Sequence, residues 1–267
     1  MKGKSGISPT ISTIILFAVM FALVFSATAV ANDAVNAQVE SAEFEQAKNV
    51  ILSLDRLVKS IMYKPDSSGY VKTSFWTVLP NLAASGQTFT LTVGDNTNPN
   101  LLTLTIPANV IKIKGASRAT AGSDTNLVGE GKLLLTDVSD SLGRARVYQS
   151  SGAWTSLDYL RASCIDTGTV DYYNPTLSAY ETYRVIEITM VQLTFASVDF
   201  REQALFIMKN RGLTQSQVVI SPGSAFHVTV TNSGPDGGSD TRTYFSQYKT
   251  LVNLVVVNVE ASVQGGS

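Results

Sequence analysis

The feature that most constrains this sequence is an uninterrupted apolar segment near its start. No charged residue occurs between Lys4 and Asp33, and within that gap 11 of the 21 residues from Ile11 to Ala31 are Ile, Leu, Val or Phe. As a helix, a segment of this length rises about 30 Å, the thickness of a bilayer core. A helix buried in a soluble protein would show a polar stripe, and this segment has none. It therefore predicts a helix that enters a membrane or an equally apolar assembly, with Ile11 and Ala31 as its membrane-spanning ends.

The helical pattern continues beyond this segment, because neither Gly nor Pro occurs between Asp33 and Lys64. Apolar residues recur there at spacings of three and four and predict one apolar face: Ala47, Val50, Ile51, Leu54, Leu57, Val58, Ile61 and Met62. The polar face is predicted to hold Lys48, Ser53, Asp55, Arg56, Lys59 and Ser60, after an acidic patch of Glu40, Glu43 and Glu45 at the membrane exit. Pro65 and Gly69 end the pattern. A helix from Ser8 to Tyr63 would be about 84 Å long.

Two kinds of leader are compatible with this start. A secretory signal peptide would be cut after Ala29-Val30-Ala31, and a soluble mature protein would begin near Asn32. A cut after Gly6 would instead retain the apolar helix. Ser8 and Pro9 favour the second alternative, because Ser caps free N–H groups and Pro suits the first helical position.

The segment Lys4-Ser5-Gly6 followed by Ile7-Ser8-Pro9-Thr10-Ile11 resembles the class III leader of archaeal type IV pilins and archaellins. This resemblance implies a leader of residues 1–6, cleavage between Gly6 and Ile7 by a prepilin peptidase, and a retained helix over residues 7–63. Ile11 stands where bacterial type IV pilins usually carry a glutamate. Archaeal members commonly lack that glutamate, so the departure points to the archaeal branch.

From Tyr70 onward the pattern changes to the alternation that is typical of strands. We expect residues 70–267 to form one extracellular β domain, and the fold class to be α+β, with a long N-terminal helix and a mostly antiparallel β-sandwich-like domain. The expected strands cover residues 88–93, 102–106 (ended by Pro107), 110–114, 132–136, 144–148, 183–195, 226–231, 242–248 and 251–263.

Residues 200–212 are ambiguous. Asp199 with Glu202 fits a helix capping box, and Gly212 fits a helix stop. The alternative is a strand, because Leu205–Gly212 resembles Val228–Gly234, each an apolar run that ends in Asn-x-Gly. We favour the strand.

Residues that could carry chemistry are few. His227 is the only histidine and lies in an expected strand between Phe226 and Val228. The sequence has no G-x-S-x-G motif, which would be needed for a serine nucleophile that His227 could activate. Cys164 is the only cysteine, which excludes an internal disulfide, and we interpret it as a small buried side chain. Gly129-Glu130-Gly131-Lys132 lacks the first Gly and the Ser/Thr of a phosphate-binding loop and is expected to form a turn.

Two loops carry oxygen ligands that suit calcium, but neither has the spacing of an EF-hand, so we expect ordinary turns. The residues are Asp95, Asn96 and Asn98 in one loop and Asp236, Ser239 and Asp240 in the other. The aromatic residues Trp154, Tyr172 and Tyr173 could form an adhesive patch, but we expect them in the core. No catalytic residue, metal site or cofactor is predicted.

The net charge of −1 gives no indication of a nucleic-acid partner. The expected function is that of a non-enzymatic pilin-like subunit, major or minor, of an archaeal surface filament. Its expected partners are the membrane, a prepilin peptidase, and copies of itself or other pilins through the N-terminal helix. One alternative is a singly anchored β-sandwich binding or adhesion module that does not polymerise. Another is a secreted hydrolase that uses two carboxylates.

Overall fold

One helix precedes an all-strand domain in the computed structural model, which describes residues 9–130, 133–137, 141–198, 203–234 and 237–265. Helix α1 covers Pro9–Ile61. The expected leader, including Gly6 and Ile7, lies outside the described residues. At 53 residues, α1 is about 80 Å long.

Thirteen strands follow α1 in the described part of the chain. They are β1 (Ser68–Ser74), β2 (Leu79–Asp95), β3 (Leu102–Lys114), β4 (Thr125–Val128), β5 (Leu135–Thr136), β6 (Arg144–Ser150), β7 (Gly152–Asp158), β8 (Ala162–Asn174), β9 (Ala179–Val198), β10 (Gln203–Ile220), β11 (Ala225–Asn232), β12 (Gly238–Phe245) and β13 (Lys249–Gly265).

The strands form two sheets. Sheet A has the order β1-β10-β13-β9-β8-β5, and sheet B has the order β12-β11-β2-β3-β7-β6-β4. Strand β13 pairs parallel to β9, and β5 pairs parallel to β8. The other pairings in the described residues are antiparallel. The structure therefore has the expected fold class: a long helix and a mostly antiparallel, sandwich-like β domain.

Both sheets contribute to two apolar clusters. The distal core contains Phe89 and Val228 of sheet B with Ile188 and Leu254 of sheet A. The proximal core contains Ile111 of sheet B, Phe206 of sheet A, and the second half of α1. The helix therefore completes the hydrophobic core at one end of the sandwich.

The predicted apolar face of α1 is the face that packs on the β domain. Ala47, Ile51, Leu54 and Val58 are completely buried, and Leu57 is partly buried at the edge of the cluster. Burying an aliphatic side chain stabilises the fold by about 1.5–3 kcal/mol. This half of α1 is therefore an integral part of the domain.

Two acidic residues of α1 are buried, contrary to the expectation from the sequence. Asp55 was assigned to the polar face, but it is 2% exposed, accepts a hydrogen bond from Tyr159 Oη (3.2 Å) and pairs with Lys59 (2.7 Å). Glu43 was assigned to an acidic surface patch, but it is 7% exposed and accepts hydrogen bonds from the backbone of Trp76 and Thr77. Both carboxylates are tolerated because donors from the β domain satisfy them.

Pro107 does not end a strand, because β3 continues through it to Lys114. The β2–β3 register shifts between Ala84 and Thr88, and Pro107 faces Thr88 at that irregularity. Proline lacks an N–H donor and is tolerated at such an interruption of the ladder.

Gln203–Ile220 forms one strand, so the strand alternative for the ambiguous segment is confirmed over its described part. Asp199 and Glu202 lie outside the described residues. The strand does not end at the first Asn-x-Gly, as expected, but passes through a bulge between Asn210 and Gly212. Gly212 adopts a φ of 121°, a backbone conformation that residues with a Cβ atom rarely adopt. In both Asn-x-Gly segments the Asn Oδ1 accepts the Gly N–H, at 2.8 Å for Asn210 and 3.1 Å for Asn232.

Candidate functional site

The most unusual surface of the molecule is the first part of α1. All twelve large hydrophobic side chains between Ile11 and Val30 are more than half exposed, from 52% to 72%. An exposed apolar surface of this extent on a soluble monomer marks an interaction site. By length and composition α1 can cross a membrane, so the structure is compatible with membrane anchoring.

The polar side chains inside this apolar segment are bonded to the helix itself. Ser26 Oγ donates to Leu23 O (2.9 Å), and Thr28 Oγ1 donates to Val24 O (2.8 Å). Groups that are satisfied within the helix can enter lipid or an apolar assembly at low cost. The predicted ends, Ile11 and Ala31, both lie within α1 and are exposed.

Below the apolar segment, polar contacts fix the direction in which α1 leaves the β domain. Arg118 pairs with Asp33 (2.7 Å), and its backbone N–H donates to Glu40 (2.8 Å). Glu43 receives the bonds from the β1–β2 connection, whereas Glu45 pairs only with Lys48 of the same helix (2.6 Å). The three glutamates therefore do not form one acidic surface patch.

The end of α1 is held by a buried asparagine. Asn210 Nδ2 donates to Ile61 O (2.9 Å) and to Met62 O (3.0 Å), and Asn210 is completely buried. These bonds satisfy carbonyl groups that the helix end leaves without intrahelical partners. The junction of helix and domain is thus a packed and hydrogen-bonded contact.

His227 and Cys164 occupy the structural positions expected of them. Phe226 and Val228 are buried, while His227 is half-buried with its Nδ1 3.0 Å from Thr243 Oγ1. Cys164 is buried, with its Sγ 3.0 Å from Tyr244 Oη. Burial raises the pKa of the Cys164 thiol, which favours its protonated form.

The oxygen-rich loops are engaged in internal hydrogen bonds. Asp95 Oδ1 accepts the N–H groups of Thr97 (2.8 Å) and Asn98 (2.6 Å), as in an ordinary turn. Asp240 Oδ2 accepts the N–H of Leu135 (3.1 Å), and Asp236 lies outside the described residues. Within the described chain, no group of three or more His, Cys, Asp or Glu side chains is placed to hold a metal ion. Gly129 has a φ of 72°, which suits a turn, while Gly131 and Lys132 are not described.

None of the three aromatic residues belongs to an apolar core cluster of the described chain, so that expectation is wrong. Tyr172 and Tyr173 are 60% and 49% exposed on the β8–β9 hairpin, which extends beyond the pairing with neighbouring strands. Trp154 is half-buried on sheet B.

The structure also forms a polar cleft that the sequence did not predict. We use the name polar cleft for the cavity of about 640 Å³ whose lining includes Lys112, Arg144, Tyr148, Trp154 and Asp158. These residues come from β3, β6 and β7 and alternate along their strands with core residues. Alternation of polar and apolar residues is found in any sheet with one solvated face. The sequence pattern therefore could not distinguish a binding face from an ordinary solvated face.

No family model, curated protein or solved structure matches this chain. The fold defines a protein with a sandwich-like β domain and a long N-terminal helix whose first part is apolar and exposed. Its function has to be inferred from these features.

Proposed function

We propose that this chain is a non-enzymatic, pilin-like subunit of an archaeal type IV pilus-like surface filament. One observation carries the proposal. The second half of the continuous helix α1 is packed into the β domain, whereas the apolar side chains of its first half are exposed. The leader-like segment Lys4-Ser5-Gly6 before Ile7 adds the resemblance to archaeal pilins and archaellins.

The bare half of α1 would act in two successive environments. Before assembly it anchors the chain in the membrane, where its 11 Ile, Leu, Val and Phe residues favour insertion by roughly 3–7 kcal/mol in total. After assembly it packs against the helices of other subunits, which replaces lipid contacts by protein contacts. The same apolar surface serves both states because neither requires polar groups.

The orientation follows from charge. Lys2 and Lys4 precede the apolar segment, and positive residues stay on the cytoplasmic side of a membrane. The β domain then lies outside the cell, and a cut between Gly6 and Ile7 removes both lysines. The expected leader peptidase acts on this chain as its substrate, so no reaction is assigned to the chain itself.

The test is the N-terminal residue of the mature protein, isolated from the membrane of its native host and determined by mass spectrometry. A start at Ile7 supports the proposal. A start near Asn32 overturns it in favour of a secreted soluble protein. A start at Met1 also overturns it, because the helix would then be an uncleaved tether.

A second candidate is a singly anchored binding module that does not polymerise, and the polar cleft favours it. Electron microscopy of the native cell surface separates the two candidates. Filaments labelled along their length by an antibody against the β domain support the pilin. Label confined to the membrane supports the single module.

A carboxylate hydrolase is the least supported candidate. Asp124 and Asp158 both line the polar cleft, but Asp158 Oδ2 is already bonded to Arg144 Nε (3.1 Å) and Nη2 (3.0 Å). A glycosidase needs two carboxyl groups that act on the substrate, whereas Asp158 Oδ2 is held by Arg144 within the sheet.

A further inference from the structure

The floor of the polar cleft is the outward-facing side of three neighbouring strands in sheet B. Lys112 of β3, Ser156 of β7 and Arg146 of β6 are aligned in one row across the sheet, as the two registers show. The adjacent rows contain Asp158 with Arg144 and Trp154 with Tyr148. Because side chains alternate along a strand, all of these residues lie on the face opposite the core residues Ile111, Ala145 and Leu157.

One end of this floor is a buried ion pair. Arg144 and Asp158 face each other on β6 and β7, joined at 3.0 and 3.1 Å, and both side chains are less than one-tenth exposed. Two charges removed from water are stable only when each holds the other in good geometry. The pair is neutral as a unit, and its polar atoms hold one another in fixed positions on this floor.

Two aromatic residues lie in neighbouring strands at the other end of this floor. Trp154 and Tyr148 are direct cross-strand partners, so their Cβ atoms lie about 5 Å apart. Lys114 Nζ lies 5.5 Å from the Trp154 ring centre, and Arg146 Cζ lies 5.0 Å from the Tyr148 ring centre. Such cation–π contacts are attractive and favour the ring positions that the structure shows.

The rim of the cleft carries neutral groups that both donate and accept hydrogen bonds. Gln87 and Asn232 lie among its lining residues, as do Gln149, Ser150 and Ser151. Gln149 Oε1 accepts the N–H of Ala121 (2.9 Å), which ties the β6–β7 turn to the loop that contains Gly122. This contact positions part of the rim independently of a ligand.

The lining excludes several classes of ligand. An apolar molecule would remove Lys112 and the Arg144–Asp158 pair from water without offering them hydrogen bonds, which costs free energy. The charged lining is mixed, with Lys112, Arg144 and Arg146 beside Asp124 and Asp158, so it is not a site of one sign for a compact anion or a metal ion. A molecule with many hydroxyl groups and flat apolar faces satisfies both the amide and hydroxyl rim and the two rings.

We propose that the polar cleft is a saccharide-binding site that takes a short oligosaccharide. Its volume of about 640 Å³ falls within the range of roughly 300–1,000 Å³ typical of small-molecule sites. The ring pair provides the stacking surface, and Lys112 with the amide side chains provides the hydrogen bonds to hydroxyl groups. The site lies on the β domain and does not depend on whether the chain forms filaments, so its failure would leave the N-terminal test of the pilin proposal unaffected.

The test uses the full chain in a zwitterionic detergent, because the head group of a glycoside detergent would itself compete for the cleft. The protein is applied to an array of neutral and acidic oligosaccharides, and the glycan that binds best is then titrated in solution. The chain has two tryptophans, and Trp76 is highly exposed and outside the cleft. In a Trp76→Phe background, Trp154 is the only tryptophan reporter, so ligand in the cleft shifts its fluorescence emission.

Matched variants locate the binding. Lys112→Gln and Tyr148→Ala each raise the dissociation constant by about tenfold or more, as expected for central binding residues. Tyr172→Ala removes an exposed tyrosine that does not line the cleft and leaves the constant unchanged. Thermal unfolding of each variant confirms that the fold is retained.

Three results would overturn the proposal. The first is an array on which no glycan binds above background. The second is a glycan that binds but leaves the Trp154 emission unchanged. The third is an affinity that falls with Tyr172→Ala and not with Lys112→Gln or Tyr148→Ala, which would transfer the site to the β8–β9 hairpin.

Discussion

At the scale of single residues, similar side chains close together in sequence have different roles. Glu40, Glu43 and Glu45 lie within two turns of α1, yet only Glu43 is buried, where it bonds to the β1–β2 connection at 2.9 and 3.1 Å. Glu45 is exposed and pairs with Lys48 of its own helix. Burial and partners, not charge, determine what each glutamate contributes to stability.

The substitution Glu43→Gln is expected to lower the free energy of unfolding by about 1.5–3 kcal/mol, the range for a hydrogen bond to a charged group. The amide retains one acceptor oxygen but turns an NH₂ group toward the N–H donors of Trp76 and Thr77. Urea unfolding in detergent micelles, followed by far-UV circular dichroism, measures the change. The matched control is Glu45→Gln, for which we expect a loss of at most about 0.5 kcal/mol. Equal losses for the two substitutions would contradict the structural role of Glu43.

The substitution Asn210→Ala is expected to destabilise the protein by about 1–3 kcal/mol, because it removes the Asn210 donor from the carbonyl of Met62. The carbonyl of Ile61 loses one donor but still accepts bonds from Lys64 N–H and Ser67 Oγ. Amide hydrogen exchange should also increase in the last turn of α1. Asn258→Ala is the control, since Asn258 makes longer bonds at the surface, 3.1 Å to Thr214 and 3.4 Å to Gly212 O. A loss for Asn210→Ala no larger than the control's would show that the helix end does not need this cap.

At the scale of elements, α1 is one helix with two environments. Phe44 to Met62 contributes side chains to the apolar clusters of the domain, whereas Ile11 to Val30 contributes none in the described structure. The boundary between the two lies near Asp33 and Glu40, where Arg118 contacts the helix. A truncated chain should therefore behave differently depending on the side of this boundary at which it begins.

A chain that begins at Asn32 is expected to fold as a soluble monomer, because it keeps every helical residue that the β domain buries. A chain that begins at Tyr63 is expected to aggregate, since it exposes the apolar surface that Ile51, Leu54 and Val58 cover. Size-exclusion chromatography and circular dichroism without detergent distinguish the two outcomes. A soluble, folded chain beginning at Tyr63 would contradict the integral role of the helix.

At the scale of the whole molecule, the exposed half of α1 is long and apolar enough to anchor the protein in a membrane. The substitution Phe21→Arg places a charge near the middle of the apolar segment, at a cost of about 2.5–3.5 kcal/mol for insertion. We expect a lower fraction of the protein to float with lipid vesicles in a density gradient. Val35→Arg on the same helix is the control, because Val35 lies beyond Ala31 and is also exposed. Equal flotation of the two variants would contradict insertion through residues 11–31.

The sequence predicted the elements well where one local period governs them. The buried face of α1 from Ala47 to Met62 and the strands around Phe226 and Leu251 follow from spacings within a single element. The prediction from sequence failed where a residue's structure or burial depends on a contact with a distant part of the chain. Pro107 remains inside β3 because β2 is irregular opposite it, and Asp55 is buried because Tyr159 meets it.

The amino-acid sequence by itself determined the division of this protein into an apolar helix and a β domain, because hydropathy and periodicity are properties of contiguous residues. Tertiary structure alone decided the parallel pairing of β9 with β13, the burial of Glu43, and the polar cleft. Lys112, Tyr148 and Trp154 belong to three strands, and only the register of sheet B brings them to one face. Their proximity depends on how the strands pair across the sheet. The pattern of residues within one strand does not show which side chains of the neighbouring strands will lie beside it.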